Sequence, residues 1–306
     1  MSDTPDFVGQ PGNRMRWLMD QRCIAAPGAF CGLVARAVRE AGFEAAYVSG
    51  GATSAAAGVP DVGLLSVDRF CQIVREIADG CGLPVLADAD TGFGEEEMTR
   101  RTVIAYSRAG AAGLHIEDQV FPKRCGHLDG KELLSIEDAA SKVRWAAEAA
   151  SELGNGMLVC ARTDARGVTG MEEAITRAKA YVAAGADMIF PEGLRTEGEF
   201  AIFAEKLNAL GDQRPYVLAN MTEFGKTPII PLERFEQMGY SLVIYPVTTL
   251  RIAMAAVTEA LDELKSSGSA ENLLPRMQTR DQLYRMLGYT PGEPWRSPSG
   301  GARVAR

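Results

Sequence analysis

Stretches with helical spacing of apolar positions alternate along the chain with short, almost continuously apolar runs. In REAGFEAAYVSGG (39–51), SRAGAAGLHIEDQ (107–119), VAAGADMIFPEG (182–193) and EQMGYSLVIYPV (236–247) a helical stretch ends at Gly, an apolar run follows, and the run closes on polar or charged residues. Gly at that place supplies the left-handed residue that ends a helix. A run without polar alternation reads as a strand covered on both faces, as in a parallel sheet wrapped by helices. Further strands are predicted over 23–29, 83–90, 156–164 and 215–223, with amphipathic helices such as 67–81 and 170–185 between them. Eight such alternations predict an α/β fold, a closed (β/α)8 TIM barrel. An open doubly wound sheet would need a glycine-rich phosphate turn after an early strand, and SGGATS (49–54) has no G-x-G-x-x-G.

The pattern divides the chain into an N-terminal extension (1–22), the barrel (23–268), a C-terminal helical segment (269–289) and a tail (290–306) rich in Gly, Pro, Ser and Arg that is expected to be disordered. Two helical stretches, 248–268 and 271–287, follow the eighth strand. A barrel closes its own core, so their apolar faces need burial elsewhere, and a homo-oligomer is expected. The 306 residues fit one barrel with extensions.

Charge and cysteine content narrow the function classes. The net charge of −8 disfavours nucleic acid and anionic membranes as partners, and an anionic substrate would need a local cluster of Arg, Lys or metal. None of the six cysteines forms a C-x-x-C pair, and in a chain with a sizeable core a disulfide framework is not expected. The N-terminus lacks the apolar stretch of a signal peptide and no run is long enough to span a bilayer, so the expectation is a cytoplasmic protein, or one of an organelle matrix.

In a parallel barrel the active site lies at the C-terminal strand ends. Here those ends carry Ser49 and Gly50, Asp88 and Asp90, Glu117 and Asp118, Arg162 and Asp164, Glu192, Asn220 and Thr222. Asp88 and Asp90 lie two apart, which on a strand turns both carboxylates to one side. Two converging carboxylates call for a cation, and Mg²⁺ suits because it takes oxygen ligands and keeps several waters. Asp90 could instead cap the helix beginning near Glu95, which leaves Asp88 unexplained. In PKRCGHLDG (122–130), Cys125 is flanked by Lys123, Arg124 and His127. A positive field lowers a thiol pKa and suits a nucleophile or proton donor. The alternatives are a solvated basic loop or a zinc site, for which Cys125 and His127 give too few ligands at poor spacing. Gly126 would let the loop backbone approach a ligand closely. Arg162 stands inside an apolar run, where an unpaired guanidinium is costly, so it is expected to meet a carboxylate. Spacing alone reads Arg251 and Arg280 as surface charges.

YVSGG, GVPDVG, ADADTGFG, GAAGLHIEDQ, PKRCGH, ARTDA, FPEG, LANMTEFGKTP, YPVTTLR and MQTRDQLY follow one another in this order. Together they resemble the 2-methylisocitrate lyases, a family of the isocitrate lyase and phosphoenolpyruvate mutase superfamily. The likeness runs from about Arg22 to about Tyr289. It implies a Mg²⁺-dependent barrel (Mn²⁺ can substitute), a homotetramer with exchanged C-terminal helices, and cleavage of 2-methylisocitrate to pyruvate and succinate in propionate catabolism. By motif it assigns Ser49, Gly50 and Gly51 to the pyruvate part and Asp88 and Asp90 to the metal. It places Cys125 and Gly126 on a gating loop, and gives substrate contacts to Arg162, Glu192, Asn220, Thr222, Arg251 and Arg280. Phe190 and Ile244 would line the pocket for the substrate methyl, although as apolar strand residues they read equally as plain core. Cys125 would protonate the carbanion left by C–C cleavage, and Tyr47 or Glu117 would be the base.

Two segments depart from the family pattern: Ala52-Thr53-Ser54 after Ser49-Gly50-Gly51, where more glycine is expected, and LDGKELLS (128–135). Both fall at the mouth of the expected site and bear on the substrate's side group. The rivals are a superfamily lyase for dimethylmalate or isocitrate, an oxaloacetate decarboxylase or a phosphonate-forming mutase, and, from another class, an inactive barrel used for binding. A decarboxylase or mutase needs no proton-donating thiol, and an inactive barrel has no need of Asp88, Asp90, Cys125 and Arg162 together.

Overall fold

The computed structural model describes residues 5–124, 126 and 130–295. Cys125, His127 and the tail beyond Trp295 lie outside the described residues. The strands are β1 (Ile24–Pro27), β2 (Ala46–Val48), β3 (Val85–Asp88), β4 (Gly113–Glu117), β5 (Leu158–Thr163), β6 (Met188–Pro191), β7 (Tyr216–Asn220) and β8 (Leu242–Tyr245). The helices are α1 (Pro11–Gln21), α2 (Gly32–Glu40), α3 (Gly50–Ala56), α4 (Val67–Cys81), α5 (Glu96–Ala109), α6 (Ile136–Leu153), α7 (Met171–Ala183), α8 (Glu197–Asn208), α9 (Leu232–Gln237), α10 (Thr248–Ser267) and α11 (Arg280–Leu287). All strand pairs are parallel, and β1 joins β8 to carry the sheet round. The seam between β1 and β2 is held by a bridge from Gly28 to Tyr47, where the Ala29 amide donates to the Tyr47 carbonyl at 2.9 Å.

The expected helix stops are present. Gly42, Gly110, Gly185 and Gly239 all take positive φ just past a helix end. Start signals are equally local. Ser66 and Ser135 accept the backbone amides of Arg69 and Asp138 and so cap α4 and α6. In α4, Phe70, Ile73, Val74 and Ile77 follow helical spacing and are all buried against the sheet.

Inside the barrel, Ile24, Ala26, Tyr47, Leu86, Leu158, Cys160, Met188, Phe190, Leu218, Leu242 and Ile244 form one buried cluster. Side chains alternate along a strand, so each inward column can be followed upward. Leu86 leads to Asp88, Cys160 to Arg162, Phe190 to Glu192 and Leu218 to Asn220. These four columns are apolar below and polar at their C-terminal ends.

The N-terminal extension is a plug. Met15, Leu18 and Met19 of α1 are buried in that same cluster. Gly12 makes the approach possible, since a Cβ there would lie 2.1 Å from the Gly156 carbonyl oxygen. The C-terminal region differs from the expectation in two ways. The helical stretch over 271–287 is broken into a 3₁₀ segment (Glu271–Arg276) and α11, with Pro275 inside the first. The chain past 290, expected to be loose, folds back as far as Trp295, whose indole N–H donates to the Leu287 carbonyl while Arg36 lies over its ring. α11 packs on α2, where Arg36 donates to the same carbonyl at 3.0 Å. α10 buries no residue, and Met254, Val257, Leu261 and Leu264 leave an apolar stripe exposed at helical spacing.

Candidate active site

The charged tops of the inward columns meet at one mouth. Asp88 closes β3 and accepts the Gly50 amide on Oδ2 and the Asp90 amide on Oδ1, both at 3.0 Å. A Cβ on Gly50 would sit 2.6 Å from Asp88 Oδ2 and 3.4 Å from Asp90 Oδ1, so both carboxylates converge on this backbone. The route differs from the expectation. β3 ends at Asp88, and Asp90 lies beyond it at φ 46°; a left-handed residue, not strand alternation, turns its carboxylate inward. Asp90 does not cap α5, whose N-cap is Glu95. Ser49 caps α3, accepting the Ala52 amide at 3.2 Å, and Gly51 stands beside Asp61.

Lys123 also differs from its expected role. Instead of serving only as a field around Cys125, its buried ammonium lies 2.7 Å from Asp90 Oδ1 and 2.6 Å from Asp61 Oδ1. Burial opposes that charge, but Glu117, Asp88, Asp90 and Asp61 together raise it above an ordinary lysine. Burial and the neighbouring Asp88 push Asp90 up to about 6 despite Lys123. Burial also works against Asp88, yet the His115 ring, Lys123 and Arg162 hold it below the usual range.

His115, inward on β4, is fully buried, and burial lowers it to about 4, so it is neutral. Its Nδ1 lies 3.7 Å from Asp88 Oδ1 and its Nε2 lies 2.7 Å from the Tyr47 hydroxyl. A carboxylate beside Nδ1 favours the proton there, leaving Nε2 to accept from Tyr47. Burial and Asp88 raise the Tyr47 phenol well above its ordinary value, so it stays protonated.

Arg162 has the carboxylate partners its apolar run demanded. Nε donates to Asp164 Oδ2 at 2.9 Å and Nη2 to Oδ1 at 3.1 Å, while Nη1 lies 3.3 Å from Glu117 and 3.5 Å from Glu192. Phe190 packs between them, its ring under the guanidinium at 5.1 Å and edge-on to His115 at 5.4 Å. Ile244 is fully buried in the barrel cluster below. Asn220 donates to Glu192 at 3.2 Å. Glu117 is raised well above an ordinary glutamic acid by burial, against Arg162 and Lys123. Among the described residues neither of its oxygens accepts a hydrogen bond.

The loop after β4 reaches this cluster at Gly126, where a Cβ would strike Arg162 Nη2 at 2.3 Å and Glu192 Cγ at 2.5 Å. Thr222 is partly buried just beyond β7. Arg251 is half exposed, over the Phe224 ring at 5.1 Å and 3.9 Å from Glu223, and Arg280 is exposed at the start of α11. Within one chain neither joins the cluster. Sequence reading missed Asp61 as a partner of Lys123, although it stands in the GVPDVG motif. It also missed Lys131, whose ammonium lies 2.7 Å from Asp164.

The donor set fits a hard cation. Two carboxylates converge, and Mg²⁺ needs only one or two beside its waters. Among the described residues no group of three or more His, Cys, Asp or Glu is arranged to hold a metal ion, so the fit rests on Asp88 and Asp90 together with water.

Residues 15–265 match the phosphoenolpyruvate phosphomutase family. A probable 2-methylisocitrate lyase 1 of Corynebacterium glutamicum is 50% identical over 263 residues, 86% of this chain and 84% of its own. The 2-methylisocitrate lyase of Aeropyrum pernix is 44% identical over 281 residues, covering 92% and 88%. Among solved structures, a 2,3-dimethylmalate lyase superposes with a TM-score of 0.83 at 36% identity, covering 93% of each chain. A phosphonopyruvate hydrolase solved with oxalate and Mg²⁺ superposes at 0.81 with 28% identity, covering 91% and 95%. With a parallel eight-stranded barrel, a paired-aspartate cradle and a buried arginine at one mouth, the chain belongs to the phosphoenolpyruvate phosphomutase family, and 2-methylisocitrate lyases are among its near relatives.

Proposed function

We propose that the protein is a Mg²⁺-dependent carbon–carbon lyase that cleaves 2-methylisocitrate to pyruvate and succinate. The observation that carries this reading is the pairing of the Asp88–Asp90 cradle with the buried Arg162 guanidinium at one barrel mouth. Asp88 and Asp90 would hold the ion, and when bound it supplies Lewis-acid stabilisation of charge developing on substrate oxygen. Arg162, fixed in orientation by Asp164, presents Nη1 to a substrate carboxylate. Glu117 is the better placed base: burial raises its carboxyl well above an ordinary glutamic acid, so it binds a proton readily, and among the described residues neither oxygen accepts a hydrogen bond. Tyr47, kept a hydroxyl by burial and Asp88 and hydrogen-bonded to His115, orients the substrate. As Glu117 takes the hydroxyl proton, the O–H electrons form the carbonyl and the C–C bond breaks toward the second fragment. Cys125, next to Gly126, donates the proton to that carbon.

Release of pyruvate from 2-methylisocitrate, isocitrate, 2,3-dimethylmalate and oxaloacetate tests the reading directly. 2-Methylisocitrate is expected to be preferred, by roughly 10–200-fold over isocitrate for one methyl group. Exhaustive chelation should stop turnover and Mg²⁺ or Mn²⁺ restore it. Full activity without metal, or preference for another acid, would refute the assignment.

The uncovered stripe on α10 supports a homo-oligomer in which this helix packs on a neighbouring barrel, a tetramer by the family pattern. A monomer mass by light scattering at micromolar concentration would contradict it. Among the described residues no helix is long and apolar enough to cross a membrane.

A further inference from the structure

LDGKELLS (128–135) contains a lysine for which the chemistry above has no use. Lys131 is nonetheless buried, at 7% exposure, in a shell where an ammonium is costly. Its Nζ donates to Asp164 Oδ1 at 2.7 Å and to the Gly126 carbonyl at 2.5 Å. Asp164 is itself the bidentate partner of Arg162, and its Oδ1 is shared between Lys131 and Arg162 Nη2. Burial opposes the Asp164 charge, but Arg162 and Lys131 hold it at about 2. One ammonium therefore ties two things that face the reacting groups: the carboxylate that aims Arg162, and the backbone at Gly126 that lies against Arg162 and Glu192.

Three features show a purpose-built arrangement. The Asp164 amide donates to Asp118 Oδ1 at 3.0 Å, and Asp118 Oδ2 accepts the Tyr181 hydroxyl at 2.8 Å, so Asp164 is anchored from the helix side as well. The neck of the loop is closed by a bridge from Gln119 to Leu133, two residues past Lys131. Gln119 also holds the Arg124 backbone at both its N–H and its carbonyl, each at 2.9 Å. The loop backbone is thus pinned at Arg124 by a neutral side chain and at Gly126 by a charged one. Only the charged pin connects to Arg162.

We propose that Lys131 is a positioning residue for the reaction, setting the Arg162 guanidinium through Asp164 and seating Gly126 against it. This rests on the lyase reading for its activity arm only. Lys131 touches no reacting atom in this scheme; it acts through Asp164. A small error in the placement of a substrate-facing group can cost about 100-fold in rate.

The test compares Lys131→Met, which keeps the length and removes the ammonium, with Lys131→Arg, which keeps the charge. Two readouts are taken on the full-length protein: steady-state pyruvate release with Mg²⁺, and the rate of phenylglyoxal labelling at Arg162, mapped by peptide mass spectrometry. Lys131→Met is expected to lower kcat by about 100-fold with KM changed less than about threefold, because placement rather than uniform binding is lost. Lys131→Arg is expected to recover at least about a tenth of wild-type kcat, since the charge on Asp164 is retained. Labelling of Arg162 should accelerate about tenfold or more in Lys131→Met as the Asp164 carboxylate that holds it loses the ammonium on Oδ1. A kcat within about threefold of wild type, or unchanged Arg162 labelling in a folded variant, overturns the proposal. If wild type itself releases no pyruvate, the lyase reading falls and the labelling arm alone decides the role of Lys131. If Lys131→Met does not fold, Lys131→Gln, which also removes the ammonium but keeps a polar side chain, takes its place. A fall in kcat of about tenfold or more together with faster Arg162 labelling upholds the proposal, and any other result in that folded variant overturns it.

Discussion

At the lower end of the barrel Met15, Leu18 and Met19 of α1 close against Ile24, Leu86, Leu158, Leu218 and Leu242, all buried. At the upper end the strand ends carry Asp88, Glu117, Arg162, Glu192 and Asn220, where Glu117 has no hydrogen-bond donor among the described residues and Asp90 is pushed up to about 6 by burial and Asp88. The lower end gains from removing apolar surface from water, at about 25 cal/mol per Å². The upper end concentrates charge that burial opposes, and the network of Lys123, Arg162 and Lys131 with their carboxylates only offsets that cost. One end stabilises; the other gathers carboxylates whose charge, on the proposed reading, a cation and substrate would help neutralise. The two ends should therefore differ in what a substitution costs: turnover as well as stability at the upper end, stability alone at the lower.

The largest effect is expected at the upper end. Arg162→Gln removes the guanidinium that faces Asp164, Glu117 and Glu192, and turnover should fall on the order of 10³-fold. Stability should fall too, by about 3–5 kcal/mol, because buried carboxylates lose their partner. Pyruvate release and a urea titration measure the two; turnover near wild type would show that Arg162 is structural only. At the lower end Met15→Ala should cost about 2–5 kcal/mol of stability by leaving a cavity. Its kcat should stay within about twofold of wild type, since loss of packing there removes no group that acts in the transition state. A loss of activity beyond the loss of folded protein would mean that the ends are coupled through the strands. The smallest effect sharpens the boundary between them. Phe190 lies where the apolar column meets the charged top, packed on His115 and Arg162. Phe190→Trp should move the kcat/KM ratio for 2-methylisocitrate over isocitrate toward isocitrate, by roughly tenfold, as space for a methyl is filled. An unmoved ratio would place Phe190 with the lower end, as core alone.

What the sequence by itself determined is periodic or local. Continuous apolar runs between amphipathic helices specified parallel strands and hence the barrel, because both faces of such a strand must be covered. Gly42, Gly110, Gly185 and Gly239 marked helix ends, because a left-handed residue there carries no Cβ penalty in glycine. Arg162 announced its carboxylates because a lone guanidinium in an apolar run is too costly to persist. What only the tertiary structure decided depends on register and on the path of loops, which periodicity does not encode. The strand register set Glu117 beside Arg162 and Arg162 beside Phe190. A left-handed Asp90, and not a longer strand, closed the carboxylate pair. Lys123 reached back 62 positions to Asp61, Lys131 reached forward 33 to Asp164, and α1 turned beneath the barrel to fill it. Each of these joins residues far apart in sequence, and a charge or an apolar stripe states that it needs a partner without stating which one the folded chain brings to it.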